Sequence, residues 1–148
     1  MSKIRLSKEF RFEMAHALWN YDGLCKNIHG HSYILRVTVI GKPIIDEHHV
    51  KNGMVMDFGD LKRIVHEQIV DRLDHAVVVS DKSPYKLIQD LPQMGARSFV
   101  TPYQPTCENM LIDFAERIKK ELPAHVELHS LRLHETANSF AEWYASDN

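Results

Sequence analysis

Two long segments of alternating apolar and polar residues constrain the fold of this chain more than any other feature. The first runs from Ile4 to His16, where charged residues separate the apolar residues Phe10, Phe12 and Met14. The second runs from His29 to Ile40, and one of its faces carries Tyr33, Leu35, Val37 and Val39. Because a period of two residues is typical of a half-buried β-strand, the sequence predicts a strand at each place.

The period changes to that of a helix after residue 60. Asp57 or Asp60 could cap this first helix, and its apolar stripe consists of Leu61, Ile64, Val65, Ile69 and Leu73. A second helix is predicted from its capping residue Thr106 to a stop at Pro123. Residues 80–105 contain four prolines and one glycine, so we expect a long loop between the helices.

Two more strands are predicted near the C-terminus, at Val126 to Glu135 and at Phe140 to Tyr144. The apolar phase of the first one shifts between Leu128 and Leu131, which predicts a β-bulge. The order strand, strand, helix, helix, strand, strand is typical of an α+β fold. We therefore expect a four-stranded antiparallel sheet with two helices on one face.

The opposite face of that sheet would be polar, with Arg11, Glu13, Arg36 and Thr38 pointing away from the helices. A sheet that is covered on one side needs either water-tolerant residues or a partner subunit on the other. We expect closure of the sheet by oligomerisation rather than a dry core on both sides.

The composition narrows the class of protein. A chain of 148 residues fits a single domain over residues 1–148, and its net charge of −2 without a basic run argues against a nucleic-acid partner. We find no apolar run of about 20 residues and no signal peptide, so no membrane partner is expected. Two cysteines are too few for a disulfide framework, which favours a reduced, cytoplasmic protein.

Three histidines are the strongest indication of chemistry. His29 and His31 lie two residues apart on one strand and therefore share a face, and His16 is in phase with the apolar face of the first strand. If the two strands pair antiparallel, three imidazoles converge, as in a catalytic zinc site with one open position. The alternative is that each histidine is a polar residue at a strand end with its own hydrogen bond.

Other candidate residues leave more than one interpretation open. Cys25 could be a base or nucleophile, a fourth zinc ligand, or an inert thiol. Asp74 and His75 follow a predicted helix and suit acid–base work, although they could simply form its C-terminal cap. Glu135 could bind the N–H edge of a ligand or pair with an arginine, and Cys107 is better suited to packing than to chemistry.

Six motifs, in the right order, resemble one known family. They are "FEMAHAL", "CKNIHGH", "GMVMDFGDLK", "RLDHAVV", "PTCEN" and "LHET", and the resemblance runs from about residue 8 to residue 144. The family is the 6-pyruvoyl-tetrahydropterin synthase family, which includes the bacterial 6-carboxy-tetrahydropterin synthases of queuosine biosynthesis. The resemblance implies a tunnelling fold, whose sheets form a barrel in a homotrimer and usually in a hexamer built from two trimers.

The resemblance also implies a role for each candidate residue. Zn²⁺ would be held by His16, His29 and His31, and Cys25 would be the catalytic cysteine. Asp74 and His75 would complete the catalytic set, commonly from a neighbouring subunit. The pterin substrate would be anchored by Glu135 in a pocket lined by Thr106, Cys107 and Glu108.

The implied substrate is 7,8-dihydroneopterin triphosphate, and two branches of the family use it differently. The carboxy-forming branch releases acetaldehyde and triphosphate, and the pyruvoyl-forming branch eliminates triphosphate without breaking the carbon chain. "GMVMDFGDLK" followed by "DRLDH" is closer to the bacterial enzymes, which favours the carboxy product. The alternatives are the pyruvoyl synthase and a non-catalytic protein that binds zinc and a pterin.

Overall fold

The fold is built on two long paired strands. The computed structural model describes residues 1–148, and in it β1 (Ile4–His16) pairs antiparallel with β2 (His29–Gly41) along its whole length. Both predicted strands are confirmed. The register sets His16 opposite His29 at one end of the pair, so the two histidine-bearing strand ends are neighbours.

Two C-terminal strands extend the sheet on one side. β5 (Val126–Thr136) pairs antiparallel with β2, and β6 (Ser139–Tyr144) pairs antiparallel with β5. Thr38 faces Ser130 whereas Val39 faces Leu128, which leaves His129 as an extra residue. The bulge predicted from the shift in apolar phase is therefore confirmed.

The sheet has six strands, and the prediction of four antiparallel strands with a long loop over residues 80–105 is wrong in this detail. β3 (Ala76–Ser80) runs parallel to the end of β1, and β4 (Ser98–Thr101) runs parallel to β3. The order is β4-β3-β1-β2-β5-β6.

β3 was not predicted from the sequence because a helix within the predicted loop buries its second face. α3 (Tyr85–Gln93) lies between β3 and β4 in sequence, and its Leu91 packs with Val79 in a small second core. Val78 belongs to the main core on the other face. A strand buried on both faces shows no alternation of apolar and polar residues. Pro84 stands at the N-cap position of α3, and Pro92 is its last residue but one, so both prolines lie near the ends of the helix.

The remaining helices cover one face of the long strands. A helical segment follows β2 and consists of α1 (Phe58–Val65), a π-helical stretch (His66–Val70) and α2 (Asp71–Leu73). Asp57 caps α1 by accepting a hydrogen bond of 2.7 Å from the Gly59 backbone N–H. The capping residue is therefore Asp57 and not Asp60, the other residue that was predicted.

α4 (Cys107–Lys119) lies on the same face as α1. Thr106 caps it by accepting a hydrogen bond of 3.2 Å from the Asn109 backbone N–H, as predicted. The helix ends at Lys119, before Pro123. The main core between these helices and the sheet contains Phe12, Tyr33, Leu35, Leu61 and Phe114, all nearly inaccessible to solvent.

The opposite face of the long strands is polar, as predicted. Arg36 pairs with Glu9 at 2.9 Å, and Arg132 pairs with Glu142 at 3.2 Å. β3 contacts β1 only from Met14 onward, so the β1 edge from Ile4 to Phe12 has no partner strand in the chain. None of the helices has the length and apolar character needed to cross a bilayer.

Candidate metal centre and active site

The three predicted histidines come together at the end of the β1–β2 pair. The ring centroids of His16 and His29 lie 4.6 Å apart, those of His29 and His31 4.9 Å, and those of His16 and His31 5.2 Å. One ring nitrogen from each residue lies within 4.8 Å of the others. The convergence predicted from strand parity is therefore present, and these residues could hold a metal ion.

Two backbone carbonyls fix the orientation of two of the rings. His16 Nδ1 donates to the carbonyl of Pro105 at 2.7 Å, and His29 Nδ1 donates to the carbonyl of Asn27 at 2.7 Å. A carbonyl can only accept, so each Nδ1 carries a proton, and in the neutral form of each ring Nε2 keeps a lone pair. Such carbonyl contacts commonly orient histidine ligands of metals.

The free nitrogens have the spacing of metal ligands. His16 Nε2 lies 3.1 Å from His29 Nε2, and two nitrogens bound tetrahedrally to one zinc ion lie about 3.3 Å apart. Two lone pairs facing each other at this distance repel unless a proton or cation lies between them. The arrangement therefore fits a bound metal ion.

His31 supplies the third nitrogen. Its Nε2 is buried and has no hydrogen-bond partner, and it lies 3.6 Å from Oε1 of Glu135. Burial lowers the pKa of His16 and the pKa of His31, so both rings favour the neutral form that binds metals. An unpaired, buried and neutral imidazole nitrogen is costly unless it has a ligand.

A cleft of about 300 Å³ is lined by most of the other predicted site residues. Cys25 borders it from a 3₁₀ turn (Leu24–Lys26) in the β1–β2 connection. The predicted pocket residues Thr106, Cys107, Glu108 and Glu135 line the same cleft, together with Leu18, Tyr21, Ser139, Phe140 and Ala141. Glu135 thus lies close to the histidines and also borders the cleft.

The two cysteines of the cleft are in different environments. Cys107 is buried, its thiol donates to the Leu133 carbonyl at 3.2 Å, and burial raises its pKa to about 12. Cys25 is partly exposed, and it is not in the cluster of candidate ligands that the histidines form. Cys107 therefore remains a protonated thiol at neutral pH, and Cys25 is the thiol accessible for chemistry.

Asp74 and His75 form a pair, but they do not line this cleft. Asp74 Oδ1 lies 3.1 Å from His75 Nδ1 and accepts from the Glu13 backbone N–H at 2.9 Å. The Glu13 N–H lowers the pKa of Asp74, with a smaller effect from His75. His75 has a φ of +61° and a 77% exposed side chain. Within one chain His75 borders a different groove, beside Gly30 and Ser32.

Gln104 is a structural link that the sequence did not reveal. The Trp19 backbone N–H donates to its Oε1 at 3.0 Å, and its Nε2 donates to the Trp19 carbonyl at 2.7 Å. The Asn109 side chain donates to the Gln104 carbonyl at 3.1 Å. Gln104 thereby ties the loop that carries Cys25 to the segment whose Pro105 carbonyl orients His16.

The fold and the site together define the class of protein. It is an α+β protein in which three histidines on two paired strands form a candidate metal centre, next to a cleft that contains a thiol and a carboxylate. Neutral imidazoles, an accessible cysteine and a neighbouring glutamate are typical of metal-assisted proton chemistry.

Comparison with known proteins gives the family. Residues 5–146 match the family described as 6-pyruvoyl tetrahydropterin synthase. The chain belongs to this family, as its motifs predict.

Similarity to individual proteins agrees with this assignment. The chain is 36% identical over 141 residues to the 6-carboxy-5,6,7,8-tetrahydropterin synthase of Haemophilus influenzae, covering 94% of this chain and 97% of that protein. It is 32% identical over 144 residues to the dihydroneopterin monophosphate aldolase of Pyrococcus furiosus, covering 95% and 99%. The structure of 6-pyruvoyl tetrahydropterin synthase from Plasmodium falciparum has the same fold, with a TM-score of 0.73, 21% identity, and coverage of 97% and 99%.

Proposed function

We propose that this protein is a zinc-dependent 6-carboxy-5,6,7,8-tetrahydropterin synthase. It would convert 7,8-dihydroneopterin triphosphate and water into 6-carboxytetrahydropterin, acetaldehyde and triphosphate. The observation that carries the proposal is that three histidine nitrogens cluster next to Glu135, and that Glu135 and Cys25 line the adjacent cleft. The name of the Haemophilus influenzae relative supports the choice of the carboxy product.

The histidines would hold the zinc ion through the nitrogens described above. When bound, Zn²⁺ supplies a Lewis acid that polarises and acidifies the hydroxyl groups of the substrate side chain. His16 and His29 keep their orientation through the Pro105 and Asn27 carbonyls, so the ligand geometry is set before substrate arrives.

Glu135 would recognise the pterin ring. A carboxylate can accept two parallel hydrogen bonds, and the amino-pyrimidinone edge of a pterin presents two N–H donors side by side. Thr106, Cys107 and Glu108 line the same cleft and would form its walls. The neutral Cys107 thiol contributes packing there rather than charge, because burial raises its pKa to about 12.

Cys25 would transfer protons at the substrate side chain. It borders the cleft from the 3₁₀ turn in the β1–β2 connection, and the thiolate form of a cysteine is a competent base. Removal of the proton from the side-chain carbon next to the ring would move its electron pair into the C=N bond of the dihydropterin, and protonation of the ring carbon would leave a carbonyl on the side chain. Removal of a proton from the neighbouring carbon would then give an enediol, which loses triphosphate to form a dicarbonyl side chain. Addition of water would break the bond between the two carbonyl carbons, which releases acetaldehyde and leaves the carboxylate. Asp74 and His75 would be the partner acid–base pair in these steps.

Asp74 and His75 would come from a neighbouring subunit. β1 has a free edge from Ile4 to Phe12, and β6 has a free edge at the other side of the four antiparallel strands. β6 runs antiparallel to β1, so the free β1 edge of one subunit can pair with β6 of the next and close a barrel. The free edges are the basis for proposing closure between subunits, and the family resemblance is the basis for proposing a trimer or a hexamer made of two trimers.

The strand register agrees with an active site that two neighbouring subunits share. Glu13, to which Asp74 is hydrogen-bonded, lies opposite Ser32 on β2. The last observed β2–β5 pair is Ile34 with His134; Ser32 lies two residues from it on β2, and Thr136, which is paired with Ser139 at the cleft, lies two residues from it on β5. Pairing of the two free edges would therefore bring Asp74 and His75 of one subunit to the cleft of the next.

Product analysis tests the proposed reaction. The zinc-loaded protein is incubated with 7,8-dihydroneopterin triphosphate, and acetaldehyde, triphosphate and the pterin product are measured. We expect equal amounts of acetaldehyde and 6-carboxytetrahydropterin. A pyruvoyl product without acetaldehyde would establish the alternative branch, and no turnover would favour a non-catalytic zinc and pterin protein.

The Pyrococcus furiosus relative supplies a necessary comparison substrate. Its name is dihydroneopterin monophosphate aldolase, so the same incubation is carried out with dihydroneopterin monophosphate. We expect little or no turnover of the monophosphate. Faster cleavage of the monophosphate than of the triphosphate would contradict the proposal.

The 6-carboxytetrahydropterin formed from the triphosphate would enter queuosine biosynthesis. The reaction would take place in the cytoplasm, in keeping with the two free thiols of the chain.

A further inference from the structure

A tyrosine hydroxyl lies buried beside the histidines without a hydrogen-bond partner. Tyr33 is 1% exposed, and its ring stacks on Phe12 with centroids 5.1 Å apart. Its Oη is inaccessible to solvent and unpaired. A buried hydroxyl without a partner is unfavourable, and a phenylalanine would fill nearly the same space without that cost.

The surroundings of this hydroxyl contain parts of the proposed active site. Tyr33 follows His31 by two residues on β2, and their ring centroids lie 5.6 Å apart. The last β2–β5 pair is Ile34 with His134, and Tyr33 and Glu135 are the next residues of the two strands. Glu135 Oε1 lies 3.6 Å from His31 Nε2, so the Tyr33 and Glu135 side chains are both neighbours of His31.

The Tyr33 hydroxyl can serve as a hydrogen-bond donor at this position. A phenol is neutral at neutral pH, and beside a carboxylate it donates.

Glu135 needs such a donor when the histidines hold a metal. In the structure its Oε1 lies 3.6 Å from His31 Nε2, the nitrogen that is buried and unpaired. A nitrogen that binds a metal has no proton to offer to a carboxylate. With His31 occupied, the partly buried Glu135 carboxylate would have to find other donors, and the Tyr33 hydroxyl lies on the adjacent strand.

We propose that Tyr33 is a positioning residue, whose buried hydroxyl donates to the Glu135 carboxylate and holds it towards the pterin in the cleft. This inference rests on the proposed function, because it assumes that Glu135 binds the pterin. The hydroxyl would satisfy one lone pair of the carboxylate and restrict its rotation, which leaves the remaining lone pairs directed at the ligand.

A double-mutant cycle on pterin binding tests the proposal. Zinc-loaded wild type, Tyr33→Phe, Glu135→Ala and the double variant are titrated with neopterin, whose fluorescence reports binding. We expect Tyr33→Phe to weaken neopterin binding about tenfold in the wild-type background and less than about twofold in the Glu135→Ala background. Equal losses in both backgrounds would overturn the role assigned to Tyr33.

Stability and metal content separate positioning from a structural role. Removal of an unpaired buried hydroxyl should leave the Tm of the metal-free protein unchanged or higher, with zinc content equal to that of the wild type. A lower Tm or a loss of zinc in Tyr33→Phe would mean that the hydroxyl is structural. If Glu135→Ala alone leaves neopterin binding unchanged, the proposed pterin anchor is wrong, and the inference about Tyr33 is then wrong with it.

Discussion

His16 Nε2 and His29 Nε2 face each other at 3.1 Å, and the opposite nitrogen of each ring donates to a backbone carbonyl. The carbonyls remove any choice of tautomer, so both free lone pairs point to one place. His31 adds a buried nitrogen without a partner. The three histidines thus form an arrangement that could hold a metal ion, and backbone carbonyls set the orientation of two of the rings.

The two cysteines should differ sharply in reactivity. Burial raises the pKa of Cys107 to about 12, so at pH 8 only about one molecule in 10⁴ carries its thiolate. Cys25 is partly exposed. We expect an alkylating reagent at pH 8 to modify one thiol of the folded protein and two after unfolding, with mass spectrometry locating the first at Cys25. Rapid labelling of Cys107 in the folded state would contradict this description.

The exchange of subunits should restore activity to a mixture of inactive variants. Cys25→Ala and His75→Ala each remove one part of the proposed catalytic set. If each site combines Cys25 from one subunit with His75 from the next, then random reassembly of equal amounts returns about a quarter of the wild-type activity. Either variant reassembled alone is the control. Failure to recover activity, despite proven mixing of subunits, would place both residues in the same chain's site or remove one from the mechanism.

Gln104 should control the mobility of the loop that carries Cys25. Gln104→Ala removes both hydrogen bonds to the Trp19 backbone. We expect Cys25 to be alkylated several-fold faster than in the wild type, because the loss of two hydrogen bonds raises the fraction of molecules in which this loop is open. The zinc content should stay the same. Gln89→Ala is a matched control, because Gln89 donates only to Tyr85 on exposed α3. Equal labelling rates in both variants would mean that the loop is held by other contacts.

Truncation of a buried core side chain should lower the free energy of unfolding. Leu35 is fully buried on β2, between the sheet and the helices. Leu35→Ala should lower the free energy of unfolding by about 2–5 kcal/mol, because it removes buried methyl groups and leaves a cavity. Ile112→Ala on the exposed side of α4 is the control and should change it by less than about 0.5 kcal/mol. Urea unfolding of the two variants measures the difference, and similar values would show that Leu35 is not in a rigid core.

Much of the fold was predictable because alternation records which side of a strand is buried. β1 and β2 show this alternation. In β5 the alternation changes phase, and that change marks the bulge at His129. β3 was missed because α3 covers the side that would otherwise have been polar. The prolines that suggested a loop stand near the ends of α3, Pro84 at its N-cap position and Pro92 as its last residue but one.

The histidine cluster was predictable for the same reason, since parity alone brings His16, His29 and His31 to one face. The contacts that orient them were not, because the Pro105 carbonyl lies 89 residues from His16 in sequence and leaves no mark in the residue pattern. The unpaired hydroxyl of Tyr33 was likewise hidden, since a tyrosine in a strand is usually a packing residue.

X-ray absorption at the zinc edge of the loaded protein tests the metal centre most directly. Binding by three imidazoles with an open position predicts nitrogen and oxygen neighbours at about 2.0–2.1 Å, no sulfur neighbour, and a spectrum unchanged by Cys25→Ala. A sulfur neighbour at about 2.3 Å that disappears in Cys25→Ala would make the cysteine a ligand. That result would contradict both the open coordination position and the catalytic role proposed for Cys25.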